Sequence, residues 1–165
     1  MFKSGDSLNY QFALGYIHRE FDEFIGRTGG DISDLVVFQN TPKVTAYSQL
    51  TYAKPKSLFG HSGDAGLYTS VSYRSLTNQF SYEIPALDQP QYALLNAGVY
   101  WTADDRRLKL SVHGTNLTDQ RYIVAGYDFV TVVPELGNTA LGLTGVLTAF
   151  YGDPRRVMGT IEVAF

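Results

Sequence analysis

The sequence predicts an all-β fold, an antiparallel transmembrane β-barrel fragment, and three observations predict it. Six segments alternate apolar and polar residues with a period of two. Each is longer than an ordinary soluble strand, and the connections between them alternate between compact and extended. The composition agrees with an ordered chain. In 165 residues there is no cysteine, 18% of residues are charged and 14% are aromatic, with 12 Tyr and 10 Phe. Charged residues fall below the ~25% usual for soluble domains, and enough apolar surface exists to offset the entropy of ordering, so a disordered segment is excluded.

The first strand is the cleanest. Leu8, Tyr10, Phe12, Leu14 and Tyr16 share one side, and Asn9, Gln11, Ala13 and Gly15 the other. The second sets Val44, Ala46, Ser48, Leu50 and Tyr52 against Thr45, Tyr47, Gln49 and Thr51. The third opposes Ala65, Leu67, Thr69, Val71 and Tyr73 to Gly66, Tyr68, Ser70, Ser72 and Arg74. In the fourth, Ala93, Leu95, Ala97, Val99 and Trp101 face outward, opposite Leu94, Asn96, Gly98 and Tyr100. The fifth opposes Leu108, Leu110 and Val112 to Arg107, Lys109, Ser111 and His113. The last opposes Val157, Gly159, Ile161, Val163 and Phe165 to Met158, Thr160, Glu162 and Ala164. Charges fall almost wholly on one parity.

Segments of roughly 9–12 residues exceed the ~5–6 of a soluble strand and match the ~9–11 that a tilted strand needs to cross the hydrocarbon layer. Tyr16, Tyr52, Tyr73, Tyr92 and Trp101 lie near strand ends, as an aromatic girdle would. The other reading of these aromatics is cross-strand packing in a soluble β-sandwich. The connections Pro55–Gly63 and Ala103–Asp105 are short, whereas Phe21–Pro42, Thr77–Pro90 and Leu117–Arg155 are long and rich in Gly, Asn, Asp and Pro. Short turns on one rim and long loops on the other are the asymmetry of an outer-membrane barrel, whose long loops are extracellular. The external rim is therefore where ligand contacts are expected, with Tyr127, Asp128, Phe129 and Asn138 of the third loop as candidates.

Other chemistries find no foothold. A net charge of −3 and the absence of a basic run exclude a nucleic-acid partner. No run of ~20 apolar residues offers a spanning helix, and the first residues have no signal-peptide pattern. Near-neutral hydropathy is equally compatible with a barrel, whose interior is polar. Gly60-His61-Ser62-Gly63 lacks the last glycine and the strand-to-helix context of a nucleophile elbow. His18, His61 and His113 have no metal-ligand spacing, and Asp104-Asp105 is ordinary turn chemistry. The glycines at Gly137, Gly142 and Gly145 match no nucleotide-binding loop. Neither a catalytic group, a metal nor a cofactor is expected.

Three stretches resemble the C-terminal end of a TonB-dependent outer-membrane receptor. Asn40-Thr41-Pro42-Lys43 leads into a strand as the family's "N-x-P-x" does. Two strands joined at Asp104-Asp105 run into Asn116-Leu117-Thr118-Asp119-Gln120-Arg121-Tyr122, which is similar to the family's "N-L-x-D-x-x-Y" motif through Asn116, Leu117, Asp119 and Tyr122. Gly152-Asp153-Pro154-Arg155 precedes the last strand like the family's "G-x-P-R", carried by Pro154 and Arg155. Val157, Ile161, Val163 and the terminal Phe165 resemble the C-terminal signal read by the barrel-assembly machinery. One departure is Gly159, at an outward position where a larger residue is usual.

The resemblance implies six C-terminal strands of a barrel of about 22, spanning residues 1–165, with the plug domain, TonB box and signal peptide absent. It implies an outer-membrane location in bacteria and import of a scarce nutrient, most often a ferric siderophore, with energy transmitted by TonB. The implied partners are outer-membrane lipid, the remaining strands and plug, the TonB complex, the barrel-assembly machinery and the small ligand. The expected gene product is then a truncated chain or partial reading frame. Two alternatives are a soluble or secreted β-sandwich binding module with long ligand-binding loops, and a small complete barrel acting as an enzyme or adhesin.

Overall fold

The computed structural model describes residues 5–136 and 146–165. It is all-β and antiparallel, with no α-helix among the described residues. In chain order the strands are β1 (Ser7–Tyr16), β2 (Val44–Pro55), β3 (Gly63–Arg74), β4 (Tyr92–Ala103), β5 (Leu108–Thr115), β6 (Ile123–Asp128), β7 (Leu147–Tyr151) and β8 (Arg156–Val163). One 3-10 turn, Pro134–Leu136, follows β6. β1, β2, β3, β4, β5 and β8 form a single six-stranded sheet in that order, and β6 pairs with β7 separately.

The register decides which residues share a face, because directly opposed residues of an antiparallel pair point the same way. Leu8 lies opposite Tyr52, Tyr52 opposite Leu67, Leu67 opposite Val99, Val99 opposite Val112 and Val112 opposite Gly159. The next row runs Tyr10, Leu50, Thr69, Ala97, Gly114 and Val157. All six apolar parities therefore fall on one side of the sheet without a slip. Opposite them, rows such as Gln11, Gln49, Ser70 and Asn96 make a polar side. That side also carries Asp64, Arg74, Lys109, His113, Glu162 and Arg156, with Lys109 Nζ 2.7 Å from Glu162 Oε2 across β5 and β8.

The apolar side is left open where a soluble sheet would bury it. Leu67 is 42%, Val71 40%, Val99 56% and Val112 50% exposed. A sandwich would bury the apolar side under a second sheet, and no such sheet covers it among the described residues. What is buried lies mainly in the connections: Ile32 and Val36 between β1 and β2, and Ile84 and Leu87 between β3 and β4. Trp101 and Ala103 are the buried apolar residues of the sheet itself, at the rim of short turns.

The structure departs from the sequence reading in three places. β5 and β8 are eight residues long, short of the roughly 9–12 expected of the segments. Leu117–Arg155 is not a plain loop, since it contains the β6–β7 pair. Those strands are only six and five residues long, and a register shift between Ile123 and Ala125 breaks the alternation that marks longer strands. Tyr92 is opposed to Arg74 on the polar side, so it does not belong with Tyr16, Tyr52, Tyr73 and Trp101 on the apolar one.

Candidate functional site

The three long connections all leave the same rim of the sheet. Those of β1–β2, β3–β4 and β5–β8 start and end at Tyr16, Val44, Arg74, Tyr92, Thr115 and Arg156, while the short turns lie at the opposite rim. The long loops fold onto one another. Val37 N–H donates to Ser81 O at 2.8 Å, Asn40 N–H to Asn78 O at 2.8 Å, and Gln39 Nε2 to Gln79 O at 2.7 Å, joining the first loop to the second. Arg27 N–H donates to Glu135 O at 2.7 Å, joining the first to the third. The second meets the third where Tyr82 Oη donates to Asp128 Oδ2 at 3.0 Å and Ile123 N–H donates to Gln89 Oε1.

Buried polar side chains hold this cap from within. Asp88 accepts from Asn78 Nδ2 at 3.0 Å, from Gln79 N–H at 3.2 Å and from Ile84 N–H at 3.2 Å. Thr77, Asn78, Gln79 and Gln89 are all buried, and no buried side-chain polar atom among the described residues is left unpaired. A loop that buries polar groups must satisfy them, and this one does so locally, which makes it a folded layer. The signal for it in the sequence is Ile84 and Leu87 set between the polar runs Thr77–Gln79 and Asp88–Gln89.

The motif residues form a clamp at the root of the third loop. Asn116 is buried with φ of 48°, and its N–H donates to Asn96 Oδ1 at 2.9 Å. Its Nδ2 donates to Gln120 O at 2.9 Å and Asp153 O at 3.0 Å, while its Oδ1 accepts from Gln120 N–H at 2.8 Å. Asp119 Oδ1 accepts from Arg155 N–H at 3.1 Å, and Leu117 N–H donates to Leu95 O at 2.8 Å. Tyr122 stacks on Tyr92 with ring centroids 4.7 Å apart and lies against Gly152, where a Cβ would come within 2.0 Å of the ring. Pro154 is exposed beside this cluster. The clamp ties the exit of β5 to the start of β8.

Beneath the cap, on the polar side of the sheet, lies a cleft of about 460 Å³. Tyr47, Tyr92 and Tyr122 line it with Thr45, Ser72 and Arg74. Arg74 has no ion-pair partner among the described residues. A guanidinium donates in a planar fork to paired oxygens, and the tyrosine rings offer faces for stacking. The arrangement suits a planar anionic ligand. Arg74 and Tyr47 did not stand out in the sequence, and Tyr92 and Tyr122 did so as a strand-end aromatic and a motif residue rather than as neighbours, because parity assigns a residue to a side of the sheet without saying which ones meet.

The ligand candidates of the third loop are only partly free to serve. Tyr127 is 57% exposed, with Phe129 at 5.9 Å and Phe150 edge-on at 5.6 Å, so an aromatic cluster does stand on the β6–β7 surface. Asp128 is engaged: besides Tyr82 it accepts from Val130 and Thr131 N–H groups, each at 2.9 Å. Burial pushes its carboxyl up, but the hydrogen bonds from Thr131, Val130 and Tyr82 outweigh it and hold the group below the ordinary carboxylate range. Asn138 lies outside the described residues. Val157, Ile161 and Val163 share the apolar face, and Phe165 follows β8 fully exposed. His18, His61 and His113 sit on a long loop, a short turn and the polar face, and no group of three or more metal-type side chains exists among the described residues. Comparison with family models, with curated proteins and with solved structures gives no match.

Proposed function

We propose that this chain is a wall sector of an outer-membrane β-barrel of the TonB-dependent receptor type, which imports a ferric siderophore or similar scarce nutrient. The observation that carries the reading is the unbroken register: it gathers every apolar parity onto one uncovered side of the sheet and all three long loops onto one rim. Lipid is the solvent that such a side requires, and the polar side then faces the lumen. The folded cap is the external surface, and the Arg74 cleft beneath it is where an anionic ligand descends along the wall. The plug and the TonB box belong to the part of the receptor outside these residues.

The chain has no cysteine, so single cysteines report topology cleanly in it. In intact cells a membrane-impermeant maleimide should label Ser33→Cys in the first long loop, and should label Ser62→Cys in a short turn only after permeabilisation. Equal labelling of both overturns the orientation. Transport is tested by uptake of radiolabelled ferric siderophore under iron limitation. Uptake should fall to background when the gene is deleted, and uptake unchanged by the deletion removes the transport reading.

A further inference from the structure

We propose that the apolar face holds a site for one anionic phospholipid, with an acyl chain in a cleft of β2–β5 and β8 and its phosphate at Lys54. The proposal rests on the membrane reading above and adds a ligand to the side of the sheet that reading leaves to bulk lipid. An open cleft of about 770 Å³ lies there, toward the rim of short turns. Its floor follows from the register. The row Tyr52, Leu67, Val99 and Val112 ends at Gly159, where a side chain is missing from an otherwise filled row. A Cβ built at Gly159 would meet nothing closer than Ser111 O at 3.9 Å, so the space is open.

One end of the cleft is walled and the same end is charged. Trp101 Nε1 donates to Lys56 O at 2.6 Å, which draws the β2–β3 turn over the indole and leaves Trp101 3% exposed, with Leu58 of that turn lining the cleft. In the adjoining row Lys54 lies opposite Ala65, and within the strands it is the only formal charge on the apolar face among the described residues. The nearby Asp6 carboxylate accepts the Tyr52 hydroxyl at 3.1 Å. A lysine on a lipid-facing surface extends its ammonium to the headgroup boundary, where phosphates lie.

The occupant is therefore apolar along its length and anionic at one end. A polypeptide strand fits less well, because the backbone groups of β2–β5 here are already paired in the ladders and offer it no hydrogen bonds. An acyl chain needs none.

The test uses the protein extracted from the outer membrane in mild detergent, with the strands that complete its barrel, then stripped of lipid and titrated with phosphatidylglycerol or phosphatidylcholine under native mass spectrometry. Wild type should retain one phosphatidylglycerol preferentially. Lys54→Gln should weaken that binding by about fivefold, the effect of one basic group near an anionic lipid surface, and abolish the headgroup preference. Gly159→Leu, which fills the floor, should remove both lipids, while Val71→Leu on the same face outside the cleft should change neither. Retention of equal lipid by wild type, Lys54→Gln and Gly159→Leu means that only bulk lipid coats this face, and overturns the site. If Gly159→Leu does not fold, judged by heat-modifiable migration, the Lys54→Gln arm decides alone. A protein that fractionates as soluble without detergent overturns the membrane reading itself, a different failure from the loss of lipid selectivity.

Discussion

Asn116 shows what one side chain contributes at the root of a long loop. It sits in the left-handed region, which asparagine tolerates better than most residues, and its buried amide makes three hydrogen bonds while its backbone N–H makes a fourth. Asn116→Gly keeps the backbone but leaves Gln120 N–H and two carbonyls without their partner, so a cost of about 2–3 kcal/mol is expected. Asn116→Ala adds backbone strain and should cost about 1 kcal/mol more. Asn116→Asp should be no better than Ala, because an oxygen then faces the carbonyls of Gln120 and Asp153. Urea titration of the folded protein checks the order, and a milder effect for Ala than for Gly would refute the φ argument. Asp128 yields a pH prediction. Its folded pKa is depressed, so its stabilisation is present above the unfolded carboxylate value and is lost as pH falls through the lower folded value. Hydrogen exchange in Ile123–Asp128 should accelerate, after correction for intrinsic rates, as pH drops below about 4. Asp128→Asn should produce the same loosening at neutral pH, by about 1 kcal/mol after allowing for the exposure of the site. Exchange that is insensitive to both changes would return Asp128 to the pool of ligand contacts.

At the scale of strands, alternation was enough to place six of them, because a two-residue period over ten or so residues survives an occasional Ser48 or Thr69 on the apolar side. The same signal could not find β6 and β7, whose short runs and register shift leave too few repeats. Tyr92 was grouped with the other strand-end aromatics by its position alone, although the alternation of its own strand sets it on the side of Leu94 and Asn96, and the pairing with Arg74 shows that parity to hold. The motif around Asn116 was legible as a pattern, whereas its clamp was not, because Asn96 and Asp153 come from distant places in the chain. The face assignment itself is open to a direct trial. Ile161 is 72% exposed on the apolar face, and Thr160 points to the polar one beside Ser111. A lipid-facing arginine at mid-membrane costs roughly 2–4 kcal/mol, falling toward zero at the interface. Ile161→Arg should therefore lower folded yield in the intact barrel far more than Thr160→Arg does. Equal yields would mean that the apolar side does not face lipid.

The whole sheet has two open edges. β1 and β8 are its outermost strands, ten and eight residues long with every residue exposed, and on the outer edge of each the N–H and C=O groups of alternate residues have no neighbouring strand among the described residues. In lipid each unsatisfied N–H or C=O costs several kcal/mol, so a sheet in this form cannot sit in a bilayer by itself. In water its edges template association with other chains, and the exposed apolar face adds to that tendency. With six antiparallel strands β1 and β8 run in opposite directions, so an even number of further strands can bridge them by antiparallel pairing throughout. A barrel of about 22 meets that parity condition. Expressed alone, residues 1–165 should give insoluble β-rich material by circular dichroism and sedimentation. Expressed within the remaining barrel strands, the same residues should contribute to a monodisperse species whose gel migration shifts on heating. A monodisperse, heat-modifiable species from the isolated residues would require that the edges close on themselves or on a second copy, and the wall-sector reading would then give way to a small barrel or a multi-chain one.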